Sequence, residues 1–442
     1  MRFGTDGVRG VANTELTAAF ALTLGRAAAS VLRPTVAVVG GDTRLSTPML
    51  EAAVTAGISA EGVEVHRLGV LPTPAIAHFA AELGAMGVVV SASHNPYHHN
   101  GIKLFAPGGS KLSDDVEARI EAALDALPAP ACEPGRVHDD EEGPRRDRVL
   151  AGYVAHIAAA LDGRTLHGLR VVVDTANGAA SPIAASVLEH VGAEVVLINA
   201  APDGRNINLR CGATDPSVLA RAVLEHGAHA GLALDGDADR LIAVDELGHV
   251  VDGDRVIAIC ARDLHARDAL RHHAVVVTVM TNLGFRIAMR DAGIEVIETQ
   301  VGDRYVLEAL QRGGYSLGGE QSGHVIFPEL ATTGDGLLTG VVLLDVVRRS
   351  GVPLSELAAT SMTVLPQVLV NVEVQGSAAG VAERMHAEIA AAAALLGDAG
   401  RVLVRPSGTE PLVRVMVEAP TSELAERVAA DLAGAVVAHA GH

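Results

Sequence analysis

Ser93 stands in the run Ser91-Ala92-Ser93-His94-Asn95-Pro96, and Asn100-Gly101-Ile102-Lys103 follows closely. A loop hydroxyl with an imidazole beside it and an amine nearby in sequence is the pattern of a nucleophile that forms a covalent bond during turnover. The same six residues also allow a plain Ser/Asn/Pro turn. Lys103 and Lys111 are the only lysines among the 34 Lys and Arg residues. A lysine retained in so Arg-rich a background suggests a need to titrate and pass a proton, which arginine does not meet. Lys103 is therefore read as catalytic, and Lys111, in a Gly-rich loop, as solvated.

Asp235-Gly236-Asp237-Ala238-Asp239-Arg240 places three carboxylates on alternate residues between two strand-like runs, where they can converge on one hard cation. An EF-hand is excluded, because Arg240 occupies the sixth position, where that loop needs glycine, and the flanks are not helical. Mg2+ fits better: three carboxylates and a phosphate oxygen leave room for water in an octahedron. An acidic turn without an ion is the alternative. Ala238 departs from a Gly-containing pattern, which matters only if the position demands positive φ. Arg405-Pro406-Ser407-Gly408-Thr409-Glu410-Pro411, with Arg414 beyond, combines guanidinium groups, hydroxyls and a Gly turn whose N–H groups can face an anion, as a phosphate clamp requires. Gly319-Glu320-Gln321-Ser322-Gly323-His324 offers a carboxylate, a hydroxyl and an imidazole suited to sugar hydroxyls and proton transfer. Phe3-Gly4-Thr5-Asp6-Gly7-Val8-Arg9-Gly10 is a further Gly-rich loop with one arginine.

These residues need elements to position them. Val88-Val89-Val90 reads as a short buried strand, so Ser93 falls just past its carboxyl end, where open α/β sheets gather ligands. Strand-like runs alternate with helical ones, which argues for parallel α/β units. The first has strands at Val36 to Val39, ending in Gly40-Gly41-Asp42-Thr43-Arg44, and at Val63 to Leu68, with a helix from about Pro48. A Pro-, Asp-, Glu- and Gly-rich stretch from Leu127 to Arg148 reads as a linker. A second unit has strands at Leu169 to Asp174, Glu194 to Ile198, Gly231 to Leu234 and Leu241 to Val244, and a third at Ala274 to Val279 and Ile294 to Thr299. From about Thr363, strands near Pro366 to Val374 and Val413 to Glu418, with Ala-rich helices, read as a small α+β module.

At 442 residues the chain calls for two to four domains. Hydrophobic residues make up 49% and charged residues 20%, as in folded globular proteins. A net charge of -19 argues against a nucleic-acid surface, which would need a basic footprint. Cys132, Cys211 and Cys260 lie far apart without metal spacing, consistent with a reducing cytosol. No apolar leader or bilayer-length run is present, so a cytoplasmic location and no membrane partner are expected. A P-loop kinase is excluded by the lack of Gly-x-x-x-x-Gly-Lys-[Ser/Thr].

Taken together, the five motifs occur in the order found in the α-D-phosphohexomutases, and over residues 3 to 414 the chain resembles that family. The resemblance implies an α/β fold of three similar α/β domains with mixed sheets and a smaller α+β C-terminal domain around a central cleft. On this sequence the divisions fall at residues 1–147 (active-serine loop), 148–250 (metal loop), 251–362 (sugar loop) and 363–442 (phosphate-binding module). It implies a phosphoserine at Ser93, flanked by His94, with Arg9 and Lys103 beside the transferring group and His324 as a proton shuttle. Asp235, Asp237 and Asp239, with the Ser93 phosphate, would bind Mg2+. Arg240, Glu320 and Ser322 would meet the sugar, and Arg405, Ser407, Gly408, Thr409 and Arg414 the distal phosphate.

The opening octapeptide, Val301-Gly302-Asp303-Arg304-Tyr305 and Gln321 look most like members acting on glucosamine phosphates. Interconversion of the 6- and 1-phosphates is then implied, with glucosamine 1,6-bisphosphate or a similar hexose bisphosphate as activator. Such a product would feed amino-sugar nucleotide and cell-wall precursor synthesis. The alternatives are a phosphomannomutase/phosphoglucomutase, where Met often replaces Gln321, and a non-catalytic sugar-phosphate sensor, which would need only the clamp. The expected partner is a small sugar phosphate, with a homodimer left open. His99 stands where the family commonly has Asp, which would change the pH dependence if its imidazole lies near the loop.

Overall fold

The computed structural model describes residues 2–4, 6–130, 132–140, 142–374, 378, 380–406 and 412–440. The chain splits into two compact units, Met1–Met280 with Ile294–Ser361, and Thr281–Gly293 with Met362–His442.

The larger unit contains three sheets. The first runs through β1 (Val8–Val11), α1 (Ala18–Leu32), β2 (Val36–Gly41), α2 (Thr47–Ala60), β3 (Glu64–Val70), α3 (Thr73–Leu83), β4 (Met86–Val90), β5 (His99–Phe105), α4 (Asp114–Leu124) and β6 (Val137–Asp139), followed by α5 (Pro144–Ala159). Strand order is β1-β5-β4-β2-β3-β6. β4, β2, β3 and β6 are parallel, whereas β5 is antiparallel to both β4 and β1. Every residue of β4 is buried, which is why Met86-Gly87-Val88-Val89-Val90 is an unbroken apolar run rather than an alternating one. Helices α1 and α4 cover one face through Leu24, Ala28 and Ile120, packed with Val39, Val88 and Val90. Helix α1 starts at Thr17, whose hydroxyl accepts from the Phe20 N–H, and stops at Arg33 in a left-handed conformation.

The second sheet comprises β7 (Arg170–Asp174), α6 (Ala184–His190), β8 (Glu194–Ile198), α7 (Ser217–His226), β9 (Ala230–Leu234), β10 (Leu241–Asp245) and β11 (Val250–Val251). Its order is β11-β10-β9-β7-β8, and β10 is antiparallel to β9. The third has α8 (Gly253–Ala266), β12 (Ala274–Thr278), α9 (Leu283–Asp291), β13 (Glu295–Thr299), α10 (Asp303–Gly313), β14 (Gly318–Gly319), β15 (Val325–Ile326), α11 (Gly336–Ser350) and α12 (Leu354–Ser361). Its order is β13-β12-β14-β15, with β15 antiparallel to β14. Helix α9 belongs to the smaller unit.

That smaller unit has β16 (Gln367–Glu373), α13 (Val381–Arg384), α14 (His386–Leu396), β17 (Arg401–Pro406), β18 (Leu412–Glu418) and α15 (Ser422–Ala440). All strand pairs are antiparallel, in the order β16-β18-β17. Val413, Val415 and Val417 pack against Ala425, Val428 and Leu432 of α15.

The fold is thus α/β with three mixed sheets and a smaller antiparallel module. Three local expectations fall short. The stretch from Leu127 to Arg148 carries β6 and the start of α5. A three-residue edge strand, Val-His-Asp, has no alternation long enough to register, and Pro144 at the first helical turn reads equally well as a breaker. β17 was hidden because its last two residues belong to the Arg-Pro-Ser-Gly motif. β5 was missed because its charged and glycine residues mask a strand that is buried nearly throughout.

Candidate active site

Ser93 lies in the loop from β4 to β5 with φ at +51°, a left-handed value that a non-glycine residue holds only when its surroundings fix it. The fixing groups are identifiable. Ser91 Oγ accepts from the Ser93 N–H at 2.9 Å and donates to Asp42 Oδ2 at 2.6 Å. Asp42 also takes the Arg44 Nε–H at 2.7 Å and the Thr47 hydroxyl at 2.9 Å. The Arg44 guanidinium donates to the carbonyls of Ser93, Pro96 and His99 at 2.8, 2.5 and 3.1 Å. Asp42 and Arg44 are each 1% exposed, so this is a fully satisfied buried ion pair, whose value lies in fixing geometry. Sequence reasoning placed Asp42 and Arg44 only at a strand end. The available signal was an Asp and an Arg just past two glycines at a carboxyl edge of the sheet.

Ser93 Oγ points out of this frame, donating to Asp235 Oδ2 at 2.5 Å and lying 3.2 Å from His94 Nδ1. Burial, then Arg240 and Arg9, push His94 down to about 4, so its imidazole is neutral at neutral pH. Ser91 is fully buried and turned toward Asp42, away from this acidic cluster.

Asp235, Asp237 and Asp239 follow β9 on the turn into β10, and all are buried. Their ligand atoms lie within 4.8 Å of one another. Asp235 has both oxygens engaged, Oδ2 by Ser93 and Oδ1 by the Arg240 N–H at 3.1 Å. Asp237 Oδ2 takes the Thr73 hydroxyl at 2.6 Å, while Oδ1 of Asp237 is buried without a hydrogen-bond donor and Oδ1 of Asp239 faces His324 and Arg240 at 3.6 and 3.8 Å. Buried carboxylate oxygens without donors are costly unless a cation meets them, and an all-oxygen set suits a hard ion such as Mg2+. Burial, then Asp239 and Asp237, push the Asp235 carboxyl up, the signature of carboxylates crowded together. The loop touches the serine loop directly: a Cβ at Gly236 would lie 2.5 Å from the Ser93 carbonyl oxygen, so only glycine fits. Ala238 has φ at +60°; the departure from glycine falls at a position that demands the left-handed conformation.

Lys103, on β5, reaches Asp237 Oδ2 at 2.7 Å, Asp6 Oδ2 at 2.8 Å and Asp239 Oδ2 at 3.1 Å. Burial lowers its pKa, but Asp237, Asp239 and Asp6 outweigh burial and raise it well above the ordinary value. Asp6 also holds Arg9 at 2.6 Å and Lys111 at 2.7 Å. Lys111, expected in solvent, is instead largely covered, its side chain 11% exposed, as a bridge from Asp6 to Asp303, the first residue of α10. A lysine in a glycine loop gives no sign of this, because both partners are remote in sequence. Arg304 extends the same junction to Asp114 and Glu117 on α4.

The loop from β14 to β15 carries Glu320, Gln321, Ser322 and His324. His324 is buried 3.6 Å from both Asp239 and Asp303. Burial lowers its pKa, yet Asp239 and Asp303 prevail and raise it. Glu320 Oε1 accepts from the Gly302 N–H at 3.1 Å, and Ser322 is exposed. Gln321 binds mainly through its backbone, its carbonyl taking the Gly253 N–H at 3.0 Å. Arg240 lies 3.8 Å from Asp239.

The structure therefore gathers Ser93, His94, Lys103, Arg9, His324, Arg240 and the three aspartates through direct contacts. In the smaller unit Arg405 and Arg414 are cross-strand partners on β17 and β18. Like charges directly opposite destabilise a sheet, and burial, then Arg414, lower the Arg405 pKa; a dianionic ligand would relieve both. Ser407, Gly408 and Thr409, with Thr5, Glu410 and Pro411 of the motifs, lie outside the described residues.

Domain models of the phosphoglucomutase/phosphomannomutase group match in order: α/β/α domain I at residues 1–130, domain II at 151–248, domain III at 252–365 and the C-terminal domain at 369–435. The chain belongs to this family, the α-D-phosphohexomutases. It is 55% identical to a phosphoglucosamine mutase from Thermobifida fusca over 98% of this chain and 97% of that one. A phosphoglucomutase/phosphomannomutase family protein from Burkholderia thailandensis superposes with a TM-score of 0.82 at 26% identity, covering 98% of this chain and 97% of the other. An Aspergillus fumigatus N-acetylphosphoglucosamine mutase in complex with GlcNAc-6P and magnesium has the same fold, at a TM-score of 0.71 and 20% identity, covering 100% and 96%.

Proposed function

We propose that this chain is an intramolecular phosphotransferase interconverting glucosamine 6-phosphate and glucosamine 1-phosphate through phosphorylated Ser93 and a 1,6-bisphosphate. The observation that carries the reading is Ser93 Oγ set 2.5 Å from Asp235 beside two more buried carboxylates, in a chain 55% identical to a phosphoglucosamine mutase along nearly its whole length.

In the first transfer, the bond from phosphorus to Ser93 Oγ breaks as the free O1 or O6 of the sugar bonds to phosphorus, and the proton lost by that sugar hydroxyl ends on the leaving Ser93 Oγ. The bisphosphate turns end for end, since one serine serves both positions, and Ser93 Oγ then takes the other phosphoryl group. In that return step the Ser93 hydroxyl proton has two acceptors at hand, Asp235 Oδ2 at 2.5 Å and His94 Nδ1 at 3.2 Å. Carboxylates raise the pKa of both Lys103 and His324, which suits them to give positive charge or a proton rather than to take one. Asp235, Asp237 and Asp239 would hold Mg2+, which neutralises charge on the transferring phosphoryl group when bound. Arg240, Glu320 and Ser322 would orient the sugar hydroxyls. Arg405, Ser407, Gly408, Thr409 and Arg414 would hold whichever phosphate is remote, and Arg9 would support the reacting end. The four family-model segments support four functional domains, each bringing one loop. The reaction belongs in the cytosol; no helix among the described residues is long and apolar enough to cross a membrane.

A substrate panel on phosphorylated enzyme is the test. Expected kcat/KM is highest for glucosamine 1-phosphate; a preference for mannose or glucose 1-phosphate would favour the phosphomannomutase/phosphoglucomutase reading. Peptide mass spectrometry should place the phosphate on Ser93, and finding it only on Ser91 would refute the mechanism.

A further inference from the structure

The far edge of the first sheet, where β3 and β6 lie two and three strands from β4, carries a second constellation. Glu64 and His66 stand two residues apart on β3, so both leave the same face. The parallel register sets His66 opposite His138 on β6. Glu64 Oε1 lies 3.1 Å from His66 Nε2 and 3.1 Å from His138 Nε2, and the three ligand atoms fall within 4.8 Å of one another. Four-coordinate ligands about 2.0–2.1 Å from an ion lie about 3.3–3.4 Å apart, close to the spacing found. The other nitrogen of His66, Nδ1, is 2.8 Å from Asp140 Oδ2, the carboxylate–imidazole arrangement that orients a metal-binding histidine and frees Nε2. His66 is 3% exposed. His138 Nε2 is buried with the Glu64 carboxylate 3.1 Å away but without a well-formed hydrogen bond, so an ion between the two would satisfy both groups.

We propose that Glu64, His66 and His138 bind a divalent transition-metal ion of the Zn2+ class, oriented by Asp140. Two imidazoles and one carboxylate favour such an ion over Mg2+, which prefers oxygen ligands. The two rings are stacked, 14° from parallel, and ion binding tilts them toward a common centre. Arg145 Nη1 lies against the His66 ring, in contact with Nδ1 and 2.8 Å from Nε2; its side chain is 43% exposed, and ion entry requires it to swing into solvent. The ion staples a three-residue edge strand, in the segment leading from the first α/β domain to the second, onto β3. Edge strands this short hold poorly by backbone pairing alone.

The test is titration of the full chain with Zn2+ and Co2+ in excess Mg2+, which keeps the three-aspartate site supplied. One equivalent is expected, the Co2+ form giving the intense visible bands of a four-coordinate site, with slower hydrogen exchange over residues 137–139. Asp140→Asn should weaken binding about 10- to 100-fold and His138→Ala by more, with phosphoryl-transfer rates in Mg2+ unchanged for both. No uptake by the native chain, or uptake that survives both His138→Ala and Glu64→Gln, would overturn the proposal.

Discussion

Replacing Lys103 with methionine tests the electrostatic core of the site. Its ammonium group is shared by Asp237, Asp6 and Asp239 at 2.7, 2.8 and 3.1 Å and is 3% exposed. Removing one member of a buried ion pair costs about 3–5 kcal/mol, because the remaining charge stays buried without a partner. The loss is not threefold, since Asp6 keeps Arg9 and Lys111, Asp237 keeps the Thr73 hydroxyl, and Asp239 keeps His324. We therefore expect about 3–5 kcal/mol in EDTA, roughly a 10^2- to 10^4-fold change in the opening equilibrium at 1.4 kcal/mol per decade. Saturating Mg2+ should recover a large part of this, because a cation held by Asp237 and Asp239 would replace part of the lost positive charge. Hydrogen exchange at the amides of β4, β5 and β9, with and without Mg2+, reads the effect locally and separates it from the unfolding of the smaller unit. A variant as protected as the native protein in EDTA would refute the reasoning, and so would a deficit indifferent to Mg2+.

Other outcomes follow from single contacts. Ser91→Ala removes the acceptor of the Ser93 N–H, so the serine should drift, lowering kcat about 10- to 100-fold with KM unchanged in steady-state assays. Asp335 caps α11 and accepts from the Tyr153 hydroxyl at 2.8 Å; burial pushes it from 3.8 up to about 6. Its stabilising contribution is complete below about pH 4 and lost as pH rises through 6, a span of about 3 kcal/mol. Asp335→Asn, which keeps a capping oxygen, should therefore gain stability relative to the native protein between about pH 4 and 7 in denaturant titrations. Ala238→Gly should be near neutral: about 1–2 kcal/mol of left-handed strain is relieved, against about 0.5–1 kcal/mol of added chain entropy and about 0.8 kcal/mol for a buried methyl. Ala238→Val, stiffer at the same φ, should lose Mg2+-dependent turnover in the coupled assay. Burial, then His98 and Arg44, lower the His99 pKa, so His99→Asp should leave the pH–rate profile unchanged.

How far the site was legible depends on where each signal resides. Ser93, the three aspartates and Lys103 stand out in the sequence because each sits in a short run of unusual composition, and the fold brings them into one cluster. Asp42 and Arg44 could not be assigned a task from sequence: Asp42 accepts from the Ser91 and Thr47 hydroxyls, common residues with no distinctive spacing, and Arg44 donates to backbone carbonyls at Ser93, Pro96 and His99, which carry no side-chain identity. Lys111 was misread because its role depends on Asp6 and Asp303, more than one hundred residues away on either side. The alternation of strands and helices gave the parallel portions of the sheets but not β5 or β15, which follow their neighbours without an intervening helix.

The antiparallel return strands β5, β10 and β15 explain the geometry. Each loop gathered in the larger unit joins a strand with a parallel partner on one side to an antiparallel neighbour on the other: β4 to β5, β9 to β10 and β14 to β15. A parallel crossover leaves the carboxyl edge through a helix and carries its residues away, whereas a return within the sheet keeps them there. The serine, metal and sugar loops are therefore short and held at both ends by strand pairing. A loop so held can keep a non-glycine residue at positive φ, as Ser93 at +51° and Ala238 at +60° both require. The strain lies where Ser93 Oγ must meet Asp235, and the paired strands on either side resist its release.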